Sequence, residues 1–141
     1  MKNFLFSVKS FSADFGLLVM RVSLSLVLIL MHGLPKFENY GVISQRFFDP
    51  IGFGPATALS LSIFAELFCA SLVVLGFMTR LSTLVIVINL SVAFFGFHYF
   101  DPFAKKELAF IFMMMYFTLF ILGPGRISID GAINRPKGSK S

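Results

Sequence analysis

One apolar stretch, from Phe15 to Phe37, constrains this chain more than any other feature of its sequence. It reads FGLLVMRVSLSLVLILMHGLPKF and contains Arg21 and His32. A bilayer core about 30 Å thick takes roughly 20 helical residues. The stretch is therefore long enough to cross a membrane, and it predicts a transmembrane helix over about residues 15–35.

The two ionisable residues of this stretch fall on one side of the predicted helix. Arg21 and His32 are 11 residues apart, which at about 100° per residue places them within roughly 20° of each other. An ionisable group in hydrocarbon costs at least about 2.5 kcal/mol. Arg21 and His32, together with Ser25 and Lys36 on the same side of the helix, should therefore face other helices or a wet cavity rather than lipid.

The composition of the chain is typical of a small integral membrane domain. Of its 141 residues, 57% are hydrophobic and only 13% are charged, unlike a soluble domain. The formal charge of +5 comes from basic residues spread over segment ends, which does not indicate nucleic-acid binding. The single cysteine, Cys69, excludes an internal disulfide, a CxxC redox pair and a cysteine-rich metal site.

Three further apolar stretches, each bounded by turn residues, predict three more helices. They cover about residues 55–77, 80–99 and 105–123. Residues 1–13 are expected to form an interfacial lead-in, and residues 126–141 a polar tail. The predicted fold is all-α, a polytopic bundle of four transmembrane helices.

Four spans would place both termini on one side of the membrane, and the basic residues indicate which side. The side of the termini would carry seven of them, and the opposite side four. The two sets are Lys2, Lys9, Arg80, Arg126, Arg135, Lys137 and Lys140 against Lys36, Arg46, Lys105 and Lys106. The positive-inside bias therefore predicts that both termini are cytoplasmic.

Depths estimated at about 1.5 Å per residue predict a first polar cluster near mid-membrane. It places Arg21 beside Glu66 of the second helix and Asn89 of the third, with Ser25 and Ser62 as further hydrogen-bond partners. An intramembrane ionisable residue is a functional candidate by default. An Arg21–Glu66 ion pair that only fixes helix register remains an open alternative.

A second predicted cluster, nearer the outer surface, contains His32, Lys36, His98 and Glu107. His32 and Glu107 are the candidate catalytic pair, because a histidine and a carboxylate can exchange protons or bind a polar head group. Lys36 and His98 are candidate ligand-binding residues, although side chains at helix ends also extend to the interface without binding anything. No metal site is predicted, and a haem held by His32 and His98 is a minor alternative.

The order and spacing of these residues resemble the DoxX family, within the DoxD-like group of small four-helix membrane proteins. The resemblance covers roughly Phe15 to Asp130. In chain order it consists of Arg21, His32-Gly33-x-x-Lys36-Phe37, Glu66, Leu75-Gly76-Phe77-x-Thr79-Arg80, Glu107, and Gly123-Pro124-Gly125-Arg126-x-Ser128-x-Asp130.

This resemblance implies an inner-membrane protein associated with redox chemistry. The DoxD relative is a subunit of a thiosulfate:quinone oxidoreductase, and other DoxX-like proteins are linked to oxidative stress and sulfur metabolism. We therefore expect a membrane subunit of a redox system in which His32 and Glu107 exchange protons with a quinone. A soluble redox partner would deliver or accept the electrons.

The main alternative is a non-catalytic membrane anchor that recruits soluble redox enzymes through its basic tail and the loop around Phe47–Phe48. A small transporter is a third possibility, for which four spans without evident inverted repeats give little support. The sequence leaves open whether the chain forms a homo-oligomer.

Overall fold

The computed structural model describes residues 12–135, and all regular structure in that part of the chain is helical. The predicted lead-in lies almost wholly outside the described residues, as does the end of the predicted tail. In chain order the helices are α1 (Ala13–Glu38), α2 (Tyr40–Ile43), α3 (Pro55–Leu75), α4 (Thr79–Phe97), α5 (Phe103–Leu122) and α6 (Ile129–Ile133).

Three of these helices, α1, α3 and α4, are long and apolar enough to cross a membrane. Helix α5 has 20 residues, but its first turns carry Lys105, Lys106 and Glu107, so its uninterrupted apolar part begins only at Leu108. The fold is therefore that of a multi-pass membrane protein with three candidate spans. A fourth span remains a prediction.

The four long helices pack around a common core, with α5 lying along α4 and the first half of α1 against the end of α3. Each helix contributes side chains that are almost completely buried. They include Leu28, Leu59, Val73, Ile86 and Leu119. Lipid is as apolar as these side chains, so the packing is stabilised mainly by close van der Waals contact.

Helices α1, α3 and α4 each contain one π-helical turn, at Ile29–Gly33, Phe64–Cys69 and Ala93–Phe97. In α1 this turn allows the helix to continue past Pro35, the residue near which the sequence predicted it to end. Proline lacks the N–H that an α-helix needs, and helices accommodate it through local π adjustments. As a result α1 extends to Glu38.

The π-helical turns of α1 and α3 cross closely at Gly33. A Cβ atom on Gly33 would lie 2.8 Å from the carbonyl oxygen of Glu66, so only glycine fits without displacing the neighbouring backbone. Small residues permit such close approach between membrane helices. The crossing places the last turns of α1 directly beside Glu66.

The terminal segment, residues 126–135, folds back onto the bundle end where α1 begins and α5 ends, here called the terminal end. Arg21 donates a hydrogen bond to the carbonyl oxygen of Ile127 at 2.7 Å. The Asp130 carboxylate accepts from the N–H groups of Met78 and Thr79, each at 2.9 Å. The segment thus ties α1 to the start of α4.

Substituting Gly76 should open this end of the bundle. Gly76 has φ +70°, and a Cβ there would collide with the Arg21 guanidinium and with Ser128. The left-handed conformation alone costs a non-glycine residue about 1–2 kcal/mol. We expect Gly76→Ala to lower the thermal unfolding midpoint in detergent, measured by intrinsic fluorescence, whereas Gly16→Ala, in open space, should not. Equal midpoints for the two variants would contradict this account.

Acid should weaken the same contacts. Partial burial raises the pKa of the Asp130 carboxyl group, but hydrogen bonds from Thr79 and Met78 and the charge of Arg21 lower it further, to below its ordinary value of 3.8. A depressed folded-state pKa stabilises the fold above the unfolded-state value, and that stabilisation is lost as pH falls through the folded-state pKa.

We therefore expect the unfolding midpoint of the wild type to fall more than that of Asp130→Asn between about pH 6 and about pH 3. Asp49 and Asp101 also have lowered pKa values, so both proteins should lose some stability. The difference between them isolates Asp130, and parallel losses would refute its role.

Candidate functional site

A buried ion pair joins α1 to α3 toward the opposite end of the bundle, here called the loop end. The Nζ atom of Lys36 lies 2.6 Å from Oε2 and 2.7 Å from Oε1 of Glu66. The Glu66 side chain is 6% exposed and that of Lys36 is 23% exposed. The two opposite charges compensate each other, which makes an ionised carboxylate tolerable at this depth.

Two neutral side chains complete the shell of the carboxylate. Asn89 of α4 donates from Nδ2 to Oε1 of Glu66 at 3.0 Å. Ser62 donates to the same oxygen at 3.4 Å and accepts from Lys36 at 3.1 Å. Within residues 12–135, Oε2 of Glu66 accepts only from Lys36, so this oxygen can accept a further donor.

His32 stands beside this cluster, within the π-helical turn of α1. Its imidazole is half-buried and packs edge-on against Phe112, with 6.1 Å between the ring centroids. Along α1 it comes four residues before Lys36. Depending on its tautomer, a neutral imidazole offers a donor or an acceptor on either nitrogen. Lys36, Glu66, Asn89, Ser62 and His32 are called the polar site below.

The predicted pairing of Arg21 with Glu66 is wrong. The Arg21 side chain is buried at the terminal end, where it binds Ile127, and it lies about 22 Å along α1 from Lys36 at 1.5 Å per residue. Lys36 takes its place because α1 continues past Pro35. By contrast, the predicted contacts of Glu66 with Asn89 and Ser62 are confirmed.

The predicted cluster of His32, Lys36, His98 and Glu107 also does not form. His98 bonds through Nδ1 to Oδ2 of Asp101 at 2.7 Å, and this bond is the main reason that the pKa of Asp101 is lowered. Glu107 is exposed and forms no hydrogen bond or ion pair with any described residue. It lies near the start of α5, where charged side chains can extend to water.

Sequence reasoning missed two features of the bundle interior. Tyr116 of α5 is completely buried, and its hydroxyl lies 3.0 Å from that of Ser25. The prediction that Ser25 bonds within the Arg21–Glu66–Asn89 cluster is therefore wrong. The second missed feature is a contact of the loop with Lys36, whose Nζ atom lies 5.7 Å from the centroid of the Phe47 ring. The one available signal for Tyr116 was a phenol within an apolar helix, since a buried tyrosine hydroxyl usually requires a partner.

No group of three or more histidine, cysteine, aspartate or glutamate side chains that could hold a metal ion occurs within residues 12–135. Instead, an ammonium group, an amide and a hydroxyl group surround the Glu66 carboxylate, and the His32 imidazole comes four residues before Lys36 on α1. Such a set can exchange protons and bind the polar end of an organic molecule.

The stability losses caused by removing Lys36 and by removing Glu66 should not be additive. Lys36→Met or Glu66→Gln would leave one buried group without its ionic partner, at a cost of about 3–5 kcal/mol where a charge remains unpaired. We expect the double variant to be clearly more stable than the sum of the single losses implies, in a double-mutant cycle of unfolding midpoints. Glu107→Gln, at an exposed carboxylate, is the matched control. Additive losses would show that the pair is not coupled.

The sequence model of the DoxX family matches residues 16–99, a range that contains the whole polar site. Glu107 and the Gly123–Gly125 motif lie beyond the match, so their link to the family depends on the resemblance alone. Searches of curated proteins and of solved structures found no match. Because the family model covers more than half of the sequence, the chain belongs to the DoxX family.

Proposed function

We propose that this chain is a membrane subunit of a redox system and that its polar site binds the head group of a quinone. The observation that carries the proposal is the Lys36–Glu66 ion pair, held inside the bundle with Asn89 as a third partner. The redox association comes from the resemblance described above. The polar site supplies the hydrogen-bond donors and acceptors that such a head group needs.

Both forms of a quinone head group would find partners at the polar site. Carbonyl oxygens require donors, which Lys36, Asn89 and a suitable tautomer of His32 provide. The hydroxyl groups of a quinol require acceptors, which Oε2 of Glu66 and an unprotonated nitrogen of His32 provide. The same residues can therefore hold the ligand before and after its reduction.

His32 is the residue proposed to exchange protons at this site. A quinone supplies two-electron chemistry that takes up two protons on reduction, and imidazole is the side chain best suited to passing protons near neutral pH. Glu66 and Lys36 would stabilise charge while a proton moves. The electrons would come from, or go to, a soluble oxidoreductase. The participation of Glu107 stays a prediction, and none of these steps requires it.

The proposed topology has α5 as a fourth span and both termini in the cytoplasm of a cell with an inner membrane. Helix α5 is about 30 Å long at 1.5 Å per residue and packs along α4. The sequence count of seven basic residues on the side of the termini against four on the other supports a cytoplasmic terminal end through the positive-inside bias. The loop end, with the polar site beneath it, would then face outward.

The alternative of a non-catalytic anchor is supported by the terminal end. The Arg126 side chain there is 88% exposed, and an open recess of about 460 Å³ is bordered by Arg80, Gly123 and Asn134. A soluble oxidoreductase could dock at this surface. In that case the Lys36–Glu66 pair would serve only to hold α1 against α3.

Mass spectrometry of the protein purified from its native membrane in mild detergent separates the two functions. We expect to find one bound quinone per protein. The amount of bound quinone should fall at least about tenfold in His32→Gln or Asn89→Leu, since tenfold corresponds to about 1.4 kcal/mol of binding. Glu107→Gln, which keeps the polar site intact, should retain the quinone.

Two results would overturn the quinone assignment. One is a quinone that stays bound in the His32→Gln and Asn89→Leu variants, because the polar site would then not hold it. The other is a soluble oxidoreductase that co-purifies without any quinone and is lost on Arg126→Glu, which would establish the anchor instead.

A further inference from the structure

The loop between α2 and α3 covers the polar site at the loop end. Phe47 lies over the ammonium group of Lys36. Phe48 packs against Phe97 with 5.9 Å between ring centroids, and it fills the space next to Gly96, where a Cβ would lie 2.9 Å from its ring. These two residues, called the aromatic plug, lie at the loop end of the site, where Phe47 covers part of a Lys36 side chain that is 23% exposed.

The plug is followed by a turn that fixes its position. The Asp49 carboxylate accepts hydrogen bonds from the N–H groups of Ile51, Gly52 and Gly54 at 3.2, 2.9 and 2.6 Å. The bond from Gly54 is the main reason that the pKa of Asp49 is lowered, so the carboxylate is ionised at neutral pH. The backbone directly after Phe48 is thereby constrained.

A second feature near this end of the bundle is a shallow apolar surface on α4. An open groove of about 480 Å³ runs along α4 and is bordered at the loop end by Pro50. Its other lining residues are Ile88, Ser91, Val92, Phe95 and Gly96, of which Ile88 and Phe95 are exposed. Among residues 12–135, no charged side chain lines this lateral groove, so it suits a hydrocarbon chain.

The lateral groove and the polar site are neighbours on the same helix. Val92 follows Asn89 by three residues, so the two lie on adjacent positions of one helix face. Asn89 itself donates to Glu66 at 3.0 Å, while Phe48 of the plug rests on Gly96 at the other end of the groove. An amphiphile with its polar head at Asn89 would therefore have the groove available for its tail.

We infer that the lateral groove binds the hydrocarbon tail of the quinone proposed above, and that the ligand enters the polar site from the membrane rather than from water. The identity of the ligand rests on the proposed function. The route of access rests on the plug and the groove alone. The route can therefore be tested without any quinone.

The test uses a cysteine placed in the polar site as a reporter. Ser62→Cys is introduced together with Cys69→Ala, and the protein in lipid vesicles is treated with a charged, water-soluble thiosulfonate or an uncharged, lipid-soluble maleimide. We expect Phe47→Ala/Phe48→Ala to raise the labelling rate by the charged reagent at least about tenfold, a change of about 1.4 kcal/mol in the barrier. Phe100→Ala, at a side chain that is 95% exposed, is the matched control.

Blocking the groove should have the opposite effect on the other reagent. We expect Val92→Trp to slow labelling by the lipid-soluble maleimide at least about tenfold, while Leu84→Trp, exposed on the same helix outside the groove, leaves the rate unchanged. Ile88→Trp obstructs the same groove and replaces Val92→Trp if that variant does not fold.

The route is established if the charged reagent labels the Phe47→Ala/Phe48→Ala reporter faster than the parent and the lipid-soluble maleimide labels the Val92→Trp reporter more slowly. This holds whether or not a quinone is retained. In that case a missing quinone overturns only the proposed ligand. If the charged reagent labels the parent reporter as quickly as the plug variant, or if Val92→Trp and Ile88→Trp both fold and change nothing, the inference is wrong even for a protein that retains quinone.

Discussion

The ion pair between Lys36 and Glu66 sets the geometry of the bundle around it. Either charge alone in a bilayer would cost about 2.5–3.5 kcal/mol, so the two must meet. Their meeting requires that α1 continue past Pro35 and that the backbones approach closely at Gly33. Asn89 then brings α4 to the same point. Three helices are thus positioned by one carboxylate and its partners.

The polar interior is divided into two regions with different chemistry. At the loop end, Glu66 has side-chain partners that can change protonation state or rotate toward a ligand. At the terminal end, Arg21 is bound by the carbonyl oxygen of Ile127, a backbone partner that cannot titrate. The Ser25–Tyr116 pair and apolar side chains lie between them. This division explains why the arginine belongs to the architecture and the lysine to the site.

The sequence allowed prediction of the helices and of the contacts of Glu66 with Asn89 and Ser62, because apolar length and depth counting depend only on local geometry. It did not allow prediction of the lysine partner, since proline normally ends a helix and the π-helical turn before Pro35 has no clear sequence signature. Arg21 was misassigned for a different reason. Its partner is a main-chain carbonyl in a segment 106 residues away, which no pattern of side chains reveals.

The hydrogen bonds at the start of α4 depend on a residue that is synthesised late, Asp130. The Asp130 carboxylate that binds the N–H groups of Met78 and Thr79 is synthesised about 50 residues after them, when the whole of α4 has already been made. Until then the start of α4 lacks its acceptor and Arg21 lacks the carbonyl of Ile127. A chain released before residue 130 would therefore contain every residue of the buried apolar core but lack the acceptor that binds the first N–H groups of α4.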